Sequence, residues 1–106
     1  MIKHVVLFKF LSSSEDEAIE KLIQEFLSLK EKVEELKDIE WGLNISPENH
    51  HQGFTHCFVL SFKHMQDLGR YQRHPAHLAF QEVLKPHMEM VFVVDYQAAK
   101  SIGMPV

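Results

Sequence analysis

The sequence predicts an α+β domain on the ferredoxin-like, split-βαβ plan: an antiparallel sheet with its helices on one face. Four segments alternate with the period of a strand, and two longer stretches repeat with the period of a helix. Their order is strand, helix, strand, strand, helix, strand. A chain of 106 residues holds one domain, and a content of 45% hydrophobic and 25% charged residues is a globular balance. That balance excludes disorder as the overall description.

The first strand is expected over Ile2 to Phe10, with Ile2, His4, Val6, Phe8 and Phe10 on one face. Ser14 and Glu17 have the spacing of a capping box, and Glu15, Asp16 and Glu17 suit the positive end of a helix. The helix they open carries an apolar stripe from Ile19 through Leu22, Ile23, Phe26, Leu29 and Val33 to Leu36. Ile39 to Ile45 is expected as a short strand. Ser46 to Gly53 is a polar loop. Thr55 to Phe62 forms the third strand, with His56, Phe58, Leu60 and Phe62 on one face. Met65, Leu68 and Tyr71 mark a short helix. Pro75 interrupts it and opens a second run, in which His77, Phe80 and Leu84 share a face. Glu89 to Gln97 is the last strand, and the domain is expected to span 1–98 with a tail over 99–106.

The outer strands carry apolar residues on both faces. Val5, Leu7, Val91 and Val93 are assigned to the second face, which no helix of the chain is left to cover. A second copy of the sheet is the economical cover, so a homodimer through that face is expected.

Fifteen acidic against eleven basic residues, a net charge of −4, exclude the basic footprint of a nucleic-acid partner. No stretch approaches a membrane span, and the single cysteine, Cys57, fits a reducing, cytoplasmic setting. Cys57 reads as a small strand residue and Trp41 as packing.

Eight histidines are the compositional anomaly. His50, His51, His64 and His87 fall in loops or at helix ends and are expected to face solvent; His74 belongs to a helix start. His4 and His56 sit in line with large apolar residues, which points either to satisfied core histidines or to a shared polar site within an apolar pocket. Tyr71 with His77 pairs a phenol donor with an inward imidazole, the residue types of acid–base work on a carbonyl compound. The histidine spacings lack the partners of a zinc motif, and no metal or cofactor is expected.

The residues Ile2–Phe10, Trp41-Gly42, Gly53-Phe54-Thr55-His56, Tyr71, His74-Pro75-Ala76-His77 and Val94-Asp95-Tyr96 resemble the stress-responsive A/B barrel (Dabb) family in order and spacing. The resemblance covers nearly the whole chain. It implies a homodimer whose two sheets face each other as a barrel. Most members have no assigned reaction, but one enzymatic member closes a linear polyketide by an aldol step, and its implicated residues match His4, His56, Tyr71 and His77. By that likeness His77 is the general base, Tyr71 holds the substrate carbonyl or helps complete proton transfer, and His4 and His56 are pocket residues; Phe80, on the helix face of His77, is expected to bind substrate beside them. Phe58, Leu60 and Gln81 stand where that enzyme has smaller residues, which implies a narrower pocket. Asp95 sits where it could orient a histidine. The expectation is therefore a family member of unassigned activity with a small-molecule pocket; a cofactor-free lyase, cyclase or isomerase is the alternative.

Overall fold

The structure is a computed structural model and describes residues 1–99. The tail expected over 99–106 lies, beyond its first residue, outside the described residues. Strand β1 (Ile2–Phe10) leads to helix α1 (Asp16–Lys32), then to β2 (Asp38–Leu43) and β3 (His56–Phe62). Helices α2 (Met65–Arg73) and α3 (Pro75–Leu84) follow, then a 3-10 turn over Lys85–His87 and β4 (Met88–Gln97). The four strands form one antiparallel sheet in the order β2-β3-β1-β4, the ferredoxin-like arrangement.

Strand pairing sets side chains in rows across the sheet. Facing the helices are Ile39–Leu60–His4–Asp95, Trp41–Phe58–Val6–Val93 and Leu43–His56–Phe8–Val91. On the other face are Asp38–Ser61–Lys3–Tyr96, Glu40–Val59–Val5–Val94 and Gly42–Cys57–Leu7–Phe92. Val91 and Val93 therefore lie on the helix side, not with Val5 and Leu7. Both faces of β4 are apolar, so alternation alone does not say which points where; pairing with β1 decides it. The second face is still apolar at its centre, because Phe92, Val94 and Tyr96 take the places assigned to the two valines.

The core lies between the sheet and the helices. Leu22, Ile23, Phe26 and Leu29 of α1 meet Val6, Phe8, Phe58 and Leu60 of the sheet, all buried. Phe26 stacks on Phe80 of α3, with centroids 4.8 Å apart. Each large apolar side chain so buried contributes about 1.5–3 kcal/mol.

Two ends differ from the sequence expectation. Ser14 does not cap α1. Glu15 holds the cap position, and the Ser14 hydroxyl instead lies 2.7 Å from His87 Nδ1, tying the start of α1 to the turn before β4. His87 is accordingly half-buried rather than solvent-facing. α1 also stops at Lys32, and Val33 and Leu36 complete its buried stripe from a turn closed by the Leu36 N–H on the Val33 carbonyl. No helix among the described residues is long and apolar enough to cross a membrane.

Candidate functional site

The site starts from the row that joins β1 to β4. Register sets His4 beside Asp95 on the helix side, and His4 Nδ1 hydrogen-bonds the Asp95 carboxylate. A carboxylate accepts, so Nδ1 carries the proton and the ring presents Nε2 elsewhere.

The second part comes from the α2–α3 junction. His74 between the helices is extended, and its Nδ1 accepts the Ala76 N–H at 3.0 Å. Pro75 occupies the first turn of α3, where its missing N–H leaves no bond unmade. This turn brings His77 back against the end of α2, where its Nδ1–H donates to the Gln72 carbonyl at 3.1 Å. A carbonyl only accepts, so the tautomer is fixed and Nε2 keeps its lone pair. Burial lowers the His77 pKa; the Gln72 bond opposes this, and nearby His4 adds to it. The net effect is a neutral imidazole with a free acceptor nitrogen at pH 7.

Tyr71 lies close to both histidines. Its ring centroid is 4.5 Å from that of His77 and 6.3 Å from that of His4. The side chain is buried, yet among the described residues its hydroxyl has no hydrogen-bond partner and opens instead on the cavity beside it. Burial pushes the phenol pKa up, so the group stays a hydrogen-bond donor.

These three polar groups face a cavity of about 410 Å³. Phe26 and Phe80 form part of its apolar wall, Val91 and Val93 line it from β4, and Gln81 and Lys85 supply further polar lining. Phe80 shares this lining with His77, which lies on the same helix. Phe58 and Leu60 do not reach the cavity; both are buried in the core, with Phe58 behind Phe26 at 4.6 Å between centroids. Of the three bulky positions, only Gln81 lines the pocket.

His56 is not brought to this site. It shares the helix-side face with His4 but stands in the Leu43 row, two residues along the strand. There its Nδ1 lies 2.7 Å from the Thr55 hydroxyl, its ring stacks on Trp41, and Phe10 meets it edge-on at 4.9 Å. Burial lowers its pKa. Alternation gave the correct face for His56; only register gives the place along it. The Gln72 carbonyl and the Val91–Val93 wall were not found from sequence, and a backbone acceptor leaves no side-chain signal. Cys57 sits half-buried on the opposite face, its pKa raised by burial and by Glu40, which makes it a poor nucleophile. Among the described residues no three His, Cys, Asp or Glu side chains converge to hold a metal ion.

Comparison with known proteins gives three kinds of match. A family model described as Stress responsive A/B Barrel Domain matches residues 2–98. Among curated proteins, Stress-response A/B barrel domain-containing protein HS1 of Arabidopsis thaliana is 36% identical over 96 residues, covering 91% of this chain and 88% of its own. Olivetolic acid cyclase of Cannabis sativa is 26% identical over 99 residues, covering 93% of this chain and 98% of its own. Among solved structures, a dimeric ferredoxin-like protein of unknown function from Bacteroides fragilis superposes with a TM-score of 0.72. It is 28% identical, and the match covers 92% of this chain and 95% of that one.

Proposed function

The chain belongs to the stress-responsive A/B barrel domain family, and from that premise we propose that it is a homodimeric protein whose pocket binds a compact carbonyl or phenolic compound and moves a proton on it. The observation that carries the reading is the hydroxyl of the buried Tyr71, which has no hydrogen-bond partner among the described residues and opens on the cavity that His77 and His4 also line. A donor that opens on a largely apolar cavity is free to bond whatever acceptor enters it. A ligand carbonyl suits that role.

With the carbonyl held by Tyr71, His77 Nε2 is the acceptor for the adjacent acidic proton. Enolate charge then builds on the oxygen that Tyr71 already holds, which is where a donor gains most. The His4–Asp95 pair supplies a second imidazole, oriented by its carboxylate, beside the phenol. Such a step serves a lyase, a cyclase or an isomerase, and side chains alone carry it. The resemblance of His4, Tyr71 and His77 to the functional residues of a cyclase agrees with this assignment. The dimer forms through the second sheet face, in a reducing, cytoplasmic setting, without nucleic acid.

The test measures proton exchange directly. 2,4-Dihydroxyacetophenone is incubated with the protein in deuterated buffer, and loss of its α-protons is followed by NMR. Acceleration by the protein and its loss in a folded His77→Ala variant are the expected results. Equal exchange in both proteins removes His77 as the base, and an early-melting His77→Ala variant makes its role structural.

A further inference from the structure

We propose that the pocket selects anions: its substrate carries a carboxylate, which Lys85 holds in place of Glu82 while the reacting carbonyl lies at Tyr71 and His77. The proposal rests on the carbonyl-binding reading above and deepens it by naming the class of substrate, a carbonyl compound with an acid group at its other end.

One flank of α3 lines the cavity with polar groups. His77, Gln81 and Lys85 follow one another at intervals of four residues, and all three border the cavity. The helix ends at Leu84, but Lys85 keeps helical backbone angles, φ −47° and ψ −46°, so it continues that flank. Residues four apart are neighbours on a helix surface, separated by about 6 Å along its axis. From the reacting end the order is therefore imidazole, amide, ammonium. The imidazole works with Tyr71, whereas the amide and the ammonium have no part in moving the proton. Phe80 lies between the two polar ends as an apolar wall, which suits an aromatic ring or a short acyl chain joining a carbonyl to an acid.

The charge around the cavity is one-sided. The chain has a net charge of −4, yet among the described residues that line the cavity there is a lysine and no carboxylate. The histidines add no second net charge, because His77 is neutral at pH 7 and His4 is matched by Asp95. Lys85 does have a partner, Glu82, at 2.9 Å. The pair is open to water, with the two side chains 65% and 72% exposed, and exposed pairs of this kind contribute little. An entering carboxylate can therefore take the place of Glu82. Glu82 precedes Lys85 by three residues, so the ammonium is directed back along α3 toward the level of Gln81. A carboxylate at that level accepts from the ammonium and from the Gln81 amide together. The last carbonyls of a helix repel an anion, and Lys85 offsets that repulsion at this end of the cavity.

Two matched ligands test the assignment: 4-acetylbenzoate, and 4-acetylbenzamide, the same aryl ketone without the charge. The affinity of each for the full-length protein is measured at pH 7 by titration followed by NMR. The benzoate should bind on the order of tenfold tighter, as a charge-assisted hydrogen bond allows. Lys85→Met should abolish that preference, and Lys85→Arg should retain it. Glu82→Gln should widen it, because the competing carboxylate is gone, and should have no such effect when combined with Lys85→Met. Equal affinities in the natural sequence, or a preference that survives Lys85→Met, overturns the proposal. Should Lys85→Met fail to fold, an unchanged preference in Glu82→Gln overturns it instead. Binding of neither compound overturns the proposal together with the carbonyl-binding reading. Selective binding without exchange of the benzoate's methyl protons bears out the anion site and removes only the proton-transfer reading.

Discussion

Among the described residues the Tyr71 hydroxyl makes no hydrogen bond, so Tyr71→Phe removes a group that their packing does not use while keeping the buried ring. The variant should retain stability to within about 1 kcal/mol. It should lose on the order of 10²-fold in exchange rate, since the donor acts where charge develops. A large fall in melting temperature would instead assign the hydroxyl to folding. His56 and His77 carry a pH signature. Burial holds both below the ordinary imidazole value of 6.5. Between that value and the lowered one the unfolded chain binds more protons than the folded chain, so stability rises with pH across the window. Stability is complete above about pH 6.5 and is lost as pH falls through it toward the lowered values. Thermal melts from pH 8 to 5 should show this fall, and His77→Gln should flatten it. An unchanged slope in the variant would take His77 out of the buried, neutral state.

At the scale of elements, the junction of α2 and α3 does most to position the site. His74 caps α3 by accepting the Ala76 N–H, and the turn it stabilises sets the Gln72 carbonyl against His77. His74→Ala should cost about 1 kcal/mol, as loss of a cap does. It should also lower proton exchange, because His77 loses the fixed position of its acceptor. Measuring melting and exchange on one sample separates this from simple destabilisation, and His74→Asn, which restores a capping acceptor, should recover both. This part was legible from sequence, since Tyr71, His74-Pro75 and His77 are close in the chain and their relation is local. Ser14 was misread for the opposite reason: its partner, His87, is 73 residues away. The same holds for His56, Val91 and Val93. Alternation states which side chains share a face, but the zero of that alternation on β4 and the distance along β3 come from pairing between strands.

At the scale of the whole molecule, the sheet and the helices make a flat, two-layered subunit. Its radius of gyration is 14.9 Å, whereas a compact domain of about 100 residues has about 13 Å. It is a slab about 17 Å thick, with helices on one side and a bare sheet on the other. Along the centre of that sheet Val59, Val5 and Val94 form an apolar row flanked by Leu7 and Phe92, with Phe92 and Val94 exposed. Val5→Lys places a charge at the middle of this row without touching the helix side, because Val5 points away from the core. A charge there is tolerated by a free subunit, where it meets water, and is costly in a dimer, where it is buried against a second apolar sheet. Light scattering at micromolar concentration should therefore give a dimer for the natural sequence and a monomer for Val5→Lys. The melting temperature should rise with concentration for the first and not for the second, since association adds stability only to the species that binds. A natural chain that is monomeric and melts independently of concentration would contradict the dimer, and with it the use of this face as an interface.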